Sequence, residues 1–512
     1  MNSFISKHDK KIHRLLEIIP GALTWLFLLS PIWLGILFPQ FIVFILISLT
    51  VYWAYMGLRH PLGMYKGYLR YKAELGEDWW ENCKSLDFSL LPEKETLPPS
   101  LSDVKHFVLV PVVNEPYEVL KEPFEKYCSQ NFPLKQIVLV YTIEEKYAKE
   151  TIENLKGIIG DRKREFADIL MFTHPAGIPG EAIGAGAANR TWGAKHAIEY
   201  LQERGENLRN YIFSTFDADH VLHPQYLSRL THLYLTSDKR DNKFFQSAVA
   251  LFDNNYWEVP VFMRIEATSV ALGGLAEWSV KGKLKDTFSA YSSSLQTLID
   301  ADFWDVSLGV DDQIFYWRAF FVRKGDFWGV PHYIPYYADA VAGYNFFSSC
   351  KSLYKQLLRW GWGVIDFPLS VKEFLKNKEI PFYLKIAWMF RHLEKRVLLI
   401  DSVFLITFGF GILTFANPDV KQATFAYSFP QATSIILTAT LVFFIPITLL
   451  RFKIVRPMPE EWPYWRKFLA VMEGPMVIFN MMSFSFLPQI EAQTRMLLGK
   501  KMKDLYHTPK MR

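Results

Sequence analysis

Two stretches of the chain stay apolar for longer than an element of a soluble core requires. From Ile18 to Leu58 there is no Asp, Glu, Lys or Arg. A helix needs about 20 apolar residues to cross the hydrocarbon core, so this run fits two spans turned at Phe38-Pro39-Gln40. Lys7, Lys10, Lys11 and Arg14 lie before it, and Arg59, Lys66, Arg70 and Lys72 after it. Cations on both flanks place both ends of this hairpin in the cytosol. A second apolar region begins near Val397, with a span to about Phe415 and a further uncharged run from Gln422 to Leu450. Asp401 sits about one turn inside the first of these, where snorkelling or pairing with Lys395 or Arg396 accounts for it. Residues 468–490 are apolar but carry Glu473, Pro475 and Asn480, and a basic tail follows (Arg495, Lys500, Lys501, Lys503). A full crossing would place that tail outside, so the pattern predicts a re-entrant or interfacial element.

Between these regions the periodicity changes. His106–Val113 reads as a buried strand, followed by Gln136–Tyr141, Ile169–Phe172, Tyr211–Phe216 and Phe244–Leu251, with amphipathic stretches such as Ala188–Arg204 between them. Strand and helix in alternation predict an α/β layer built on a mostly parallel sheet. Ligands of such sheets bind beyond the carboxyl ends of the strands, which directs attention to the residues after each apolar run. The resulting organisation is a membrane hairpin over 1–60, a linker over 61–104 that contains Pro92, Pro98 and Pro99, and a cytosolic α/β domain over 105–365. Interfacial helices over 366–396, a second membrane hairpin over 397–451, and a re-entrant or interfacial segment with a basic cytosolic tail over 452–512 complete it.

Composition narrows the class. Among 512 residues, 50% are hydrophobic, 16% aromatic and 21% charged, the net charge is +5, and Cys83, Cys128 and Cys350 are far apart. Ample apolar content excludes a disordered tail, and so few cysteines exclude a disulfide-stapled secreted domain. The run at Ile18–Leu58 is too long, and lacks the cleavage site, for a signal peptide.

Candidate chemistry clusters at strand ends. Tyr211–Phe216 runs into Asp217-Ala218-Asp219, and two carboxylates at this spacing can offer oxygens to one hard divalent cation, which in turn can hold a diphosphate. Asp300-Ala301-Asp302 repeats the tripeptide, but ahead of Phe303-Trp304 rather than at a strand end. The strand Val108–Val113 ends in Asn114-Glu115-Pro116. Asp311-Asp312 opens a predicted helix, where an acidic pair also serves as cap and dipole partner. Gln356, Arg359 and Trp360 stand at i, i+3 and i+4, so one helix face carries an amide, a permanent cation and an aromatic surface. An interfacial helix with Arg and Trp at headgroup level fits the same spacing.

Taken in order, these elements resemble the membrane-bound family 2 glycosyltransferases, the group of cellulose, chitin and hyaluronan synthases. The resemblance covers most of the chain: an amino-terminal hairpin, strand-Pro-x-x-Asn-Glu, Asp-x-Asp, an acidic pair, Gln-x-x-Arg-Trp and carboxy-terminal membrane helices. It implies a GT-A (Rossmann-like) glycosyltransferase domain flanked by transmembrane helices, a nucleotide-sugar donor, and a divalent metal, Mg2+ or Mn2+. In its terms Asp217 and Asp219 hold the metal and Asp312, with Asp311 beside it, is the catalytic base. Donor-binding positions are Pro111, Asn114, Glu115, Asn189, Arg190, Asp217, Gln356 and Arg359, and Trp360 lines the acceptor mouth. Two departures concern the donor. No Asp follows the second strand, where Val140-Tyr141-Thr142-Ile143-Glu144-Glu145 stands. The family's Lys-Ala-Gly-Ala-Leu-Asn becomes Gly184-Ala185-Gly186-Ala187-Ala188-Asn189 with Arg190 next.

The expected activity is inverting transfer from a nucleotide sugar to a saccharide acceptor, extending to processive polysaccharide synthesis, in a multi-pass protein of the cell membrane. Its alternatives are transfer of one sugar to a lipid or lipid-phosphate acceptor, and a non-catalytic membrane protein that binds nucleotide sugars. A transporter ranks last, because the predicted spans hold almost no ionisable groups. The expected partners are the donor, the saccharide or lipid-linked acceptor and the lipid bilayer, with no nucleic acid.

Overall fold

The computed structural model describes residues 7–182, 186–422, 424–442 and 444–502. Gly184, Ala185 and Lys503 of the motifs above lie outside the described residues. The chain divides into two compact units, one built from Gly67–Glu258 and Lys281–Tyr344, the other from the residues up to Lys66 together with Val259–Val280 and Asn345–Lys501.

The first unit is mixed α/β. Its sheet contains β1 (Lys105–Val112), β2 (Ile137–Glu144), β3 (Asp168–His174), β4 (Tyr211–Thr215), β6 (Lys243–Ser247), β8 (Tyr291–Ser294) and β9 (Trp328–His332), in the order β3-β2-β1-β4-β8-β6-β9. β1 pairs in parallel with β2 and β4, β2 with β3, and β6 with β9; only β8 runs against its neighbours. The first seven residues of β2 are all buried, as are all five of β4. Such unbroken apolar runs mark parallel strands covered on both faces. Val108, Val110, Leu139, Tyr141 and Ile143 pack with Leu120, Phe124 and Leu155 into the main core. A small second sheet joins β5 (Val221–Leu222), β10 (Tyr336–Tyr337) and β7 (Ala250–Leu251).

Two helices carry site residues here. Helix α1 (Gly186–Glu203) packs across β1, β2 and β3. The approach is close: a Cβ on Gly193 would meet Thr142 of β2 at 2.5 Å. Helix α2 (Asp312–Val322) starts at the predicted acidic pair.

The second unit is helical. Pro39–Leu75 and Phe382–Ala416 are long and apolar enough to cross a membrane, and two bent pairs, Asp9–Leu28 with Ser30–Leu37 (61°) and Tyr464–Val471 with Met476–Leu497 (57°), pass the same test as pairs. The predicted turn at Phe38-Pro39-Gln40 matches the break between Leu37 and Pro39. The following helix runs through residues 61–75, the first part of the 61–104 linker. Helices Thr424–Leu441 and Phe444–Ile454 occupy the remaining apolar run. The polar residues within 468–490 have partners inside this unit. Glu473, in the 57° break, takes Arg451 Nη2 at 2.7 Å and pairs with Arg264, while Asn480 donates to Glu266 at 2.8 Å.

Asp401 corrects an expectation. It neither snorkels nor pairs with Lys395 or Arg396: it is fully buried, and among the described residues neither carboxyl oxygen has a hydrogen-bond partner. The physical reason is packing, since its helix is covered here by Leu28, Phe486 and Ile490 against Ile400 and Phe404, leaving no route outwards. Helix α3 (Phe346–Gly361), with Gln356, Arg359 and Trp360, also belongs to this unit.

Candidate active site

The site forms at the carboxyl edge of the large sheet, in the first unit. β4 ends at Thr215 and the chain continues through Asp217-Ala218-Asp219-His220. Asp219 is almost fully buried, with Oδ2 accepting from the Asp339 amide at 2.8 Å. Asn254 ties the two together, donating to the Asp219 carbonyl at 3.1 Å and to Asp339 Oδ1 at 2.9 Å. Asp217 is more open. Its amide donates to His220 Nδ1 at 3.1 Å, and His220 Nε2 lies 3.6 Å from its carboxylate.

Asp217, Asp219 and His220 each present a ligating atom within 4.8 Å of the others. The hydrogen bond into Nδ1 places the imidazole proton on Nε2, facing Asp217. In that tautomer His220 orients the carboxylate rather than ligating, and the two aspartates are the groups suited to a hard cation.

Arg190, on the first turns of α1, gathers the acids. Its Nη2 donates to Asp217 Oδ1 at 2.6 Å, its Nη1 donates to Asp311, and Asp312 Oδ1 lies 3.9 Å away. The guanidinium is buried, and its neighbours Asp311, Asp217 and Asp312 outweigh desolvation and keep it charged. Asp311 caps α2, accepting from the Asp312 amide at 3.1 Å. Asp312 Oδ2 accepts from the Ser289 amide at 3.0 Å, while Oδ1 is buried without a hydrogen-bond partner among the described residues. Desolvation first, then the charge of Asp311, pushes the Asp312 carboxyl well above the usual carboxylate range, with Arg190 opposing. Ser289 reaches this position with φ +51°, an unusual value for a residue with a side chain.

Other sequence-predicted residues fall into three groups. Pro111, Asn114 and Glu115 lie at the carboxyl end of β1, the neighbour of β4; Asn114 is exposed and Glu115 accepts from the Val113 amide at 2.7 Å. The Asn189 side chain is buried and engaged with the strands: Nδ2 donates to the Val112 and Thr142 carbonyls at 3.4 and 3.2 Å, and Oδ1 accepts from Thr142 Oγ1 at 2.6 Å. It therefore fixes α1 against β1 and β2, which aims Arg190 at the acids. Gln356, Arg359 and Trp360 belong to the helical unit, where Gln356 is buried and the Trp360 carbonyl accepts from Arg396 at 3.2 Å. At the other Asp-Ala-Asp, Asp300 pairs with Arg323 and Asp302 with Arg318, so both have arginine partners outside the cluster.

His220, Ser289, Asn254 and Asp339 were not predicted. His220 alone left a trace, being adjacent to the Asp-x-Asp; the others come from distant loops. As assembled, the carboxyl groups of Asp217, Asp311 and Asp312 gather on one guanidinium, that of Arg190, and Asp219 presents a ligating oxygen beside Asp217. Such a surplus of negative charge fits a divalent cation.

No family model matches this sequence, and no curated protein does. Solved structures that resemble it include a mannosyltransferase from Pyrobaculum calidifontis in complex with GDP-Man and Mn2+, at TM-score 0.42 and 12% identity over 85% of this chain and 99% of that one. S. aureus TarS 1–349 aligns at TM-score 0.34 and 12% identity, over 78% and 92% of the two chains. The same TarS fragment with UDP-GlcNAc aligns at 0.34 and 11% identity, over 78% and 93%.

Proposed function

We propose that the chain is an inverting glycosyltransferase of the GT-A type, similar to the membrane-bound family 2 enzymes, that moves a sugar from a nucleotide-sugar donor to a hydroxyl of a saccharide acceptor. The observation that carries this reading is the convergence, through Arg190, of the Asp-x-Asp carboxylate and the Asp311-Asp312 pair at the carboxyl edge of a mostly parallel sheet.

In this reading the acceptor hydroxyl attacks the anomeric carbon as the bond from that carbon to the diphosphate breaks. Asp312 accepts the hydroxyl proton and the nucleoside diphosphate departs with the bonding pair. General-base assistance of this kind is worth about 10²- to 10⁴-fold. Asp312 suits the task because Oδ2 is anchored by Ser289 while Oδ1 accepts no hydrogen bond among the described residues. Asp311, capping α2 and paired with Arg190, keeps Asp312 in register.

Asp217 and Asp219 would hold Mg2+ or Mn2+, which supplies charge stabilisation to the leaving diphosphate. Asn254 and Asp339 keep Asp219 buried and oriented for that role, and Asn114 and Glu115 offer donor contacts at the end of β1. Gln356 and Arg359 bind donor and Trp360 stacks on acceptor in the same proposal. The two long apolar helices and two bent pairs support a multi-pass protein of the cell membrane with its α/β domain in the cytosol.

Donor binding tests the proposal without turnover. Titrating the full chain in detergent with nucleoside diphosphates should give saturable binding that requires Mn2+ or Mg2+ and is lost in Asp219→Asn. Metal-independent binding, unchanged in that variant, would contradict the proposed site.

A further inference from the structure

A second buried cluster lies at the carboxyl ends of β2 and β3. Glu144 and His174 close these strands and stand opposite each other in the parallel ladder. His174 Nδ1 is 3.2 and 3.3 Å from the two Glu144 carboxylate oxygens, and Nε2 is 2.9 Å from Glu181 Oε2. The histidine side chain is 7% exposed, and those of Glu144 and Glu181 are 18% and 16% exposed.

A carboxylate is an acceptor only, and a neutral imidazole carries one N–H. Hydrogen bonds from both ring nitrogens to carboxylates therefore require the imidazolium. The two glutamates raise the His174 pKa above its ordinary value, overcoming the opposing effect of burial. Loss of the proton would break one of the two bonds and leave two carboxylates flanking a neutral ring.

This contact bears on the site through the chain that joins β3 to α1. Segment 175–182 is tied at its start by the Ala176 amide to Glu145 Oε2 at 2.8 Å, and at its end by the Ala182 amide to the Val306 carbonyl at 2.8 Å. Glu181 is its side-chain anchor to the strands. Shortly beyond comes α1, whose Gly186 has no room for a side chain beside Asp311 and whose Arg190 gathers the acids. Facing His174 are Glu144 from β2, Glu181 from the segment, and from α1 Trp192, with ring centroids 5.8 Å apart and His196 tilted against it at 4.2 Å, while Glu145, just after β2, holds the Ala176 amide.

We propose that Glu144, His174 and Glu181 form a proton-held clasp that positions segment 175–182, and with it the start of α1, and that opens as the medium becomes alkaline. The sign follows from linkage. A histidine that binds its proton more tightly in the clasped state lends stability below its ordinary pKa and loses it as pH rises through the raised one. The clasp's closing constant changes about tenfold for each unit by which the pKa is raised. These are positioning residues, distinct from those proposed to touch donor or acceptor, and the test needs no turnover.

Hydrogen–deuterium exchange of the full chain in detergent, corrected for intrinsic rates, reads the clasp between roughly pH 6 and pH 9, a window bracketing the ordinary histidine pKa. Peptides covering 175–182 should lose protection across a midpoint above about 6.5, while β1 and β2 peptides keep theirs. Glu181→Gln should move that midpoint down, and His174→Gln should remove the transition and leave the segment fast-exchanging at every pH. An unchanged profile in either variant, or a wild-type segment whose protection ignores pH, would overturn the proposal. Should His174→Gln fail to fold, the midpoint in Glu181→Gln still decides.

Discussion

Asp219 is a buried carboxyl and Asp312 a half-buried one, and their surroundings assign them different work. Asp219 takes the Asp339 amide and is fixed through Asn254, which suits a ligand. Asp312 has one oxygen anchored by Ser289 and one that accepts no hydrogen bond among the described residues. Asp312→Asn keeps the shape but cannot take a proton. It is expected to lower the transfer rate by about 10²- to 10⁴-fold while leaving donor affinity within about twofold. A large loss of affinity with the saturated rate retained would move Asp312 out of the base role. Asp302→Asn is the matched control, since that carboxylate is exposed and pairs only with Arg318 among the described residues, and its activity should equal wild type.

The same carboxyl has a signature in stability. Desolvation and Asp311 raise its pKa, so the folded chain holds this proton more tightly than the unfolded chain. Stability conferred by the protonated form is lost as pH climbs from the ordinary value of about 4 towards the raised one. Thermal unfolding of the metal-free protein should show that decline, and Asp312→Asn should flatten it. An identical slope in the variant would mean that the carboxyl is not desolvated as described.

At the scale of elements, α1 is the part on which the site depends. Its two tight glycines separate folding from chemistry. A Cβ at Gly193 would meet Thr142 at 2.5 Å, and one at Gly186 would meet Asp311 Oδ2 at 2.5 Å. Gly193→Ala wedges the helix from β2 and should cost about 1–3 kcal/mol in unfolding free energy. Gly186→Ala presses on the acid cluster and should reduce turnover at least about tenfold with a smaller loss of stability, because a helix end can shift more readily than a packed centre. Equal stability losses with equal activities would contradict this division.

Elements also show where sequence patterns carry structural information and where they do not. β1, β2 and β4 are legible because each is a run buried on both faces, and β3, a half-buried edge strand, because Ile169–Phe172 is apolar. β8 is Tyr291-Ser292-Ser293-Ser294, which reads as a polar loop. It becomes a strand through pairing with β4 and β6, with Ser214 and Ser292 hydroxyls 2.8 Å apart in the interior. β9 contains Gly329 and Pro331 and survives as the edge of the sheet, where a missing donor is tolerated. Within the site, Asp217, Asp219, Asp311, Asp312 and Arg190 were legible from strand ends, a helix start and one motif. Ser289, Asn254 and Asp339 were not, because only tertiary folding brings their loops to the acids. Asp401 was misread for a related reason: depth along a helix says nothing about which neighbours cover it.

The whole molecule comprises an α/β unit that holds an acid cluster and a helical unit with segments long and apolar enough for a bilayer. The activity proposed for the cluster is sugar transfer with the help of a divalent ion. The most direct test is release of nucleoside diphosphate by the purified full chain, across a panel of nucleotide sugars with a saccharide acceptor, with Mn2+ or Mg2+ and again with chelator. Release is expected from at least one donor, dependent on metal and acceptor, abolished in Asp219→Asn and reduced at least about a hundredfold in Asp312→Asn. Release that persists in chelator, or that both variants retain in full, would contradict the proposed activity.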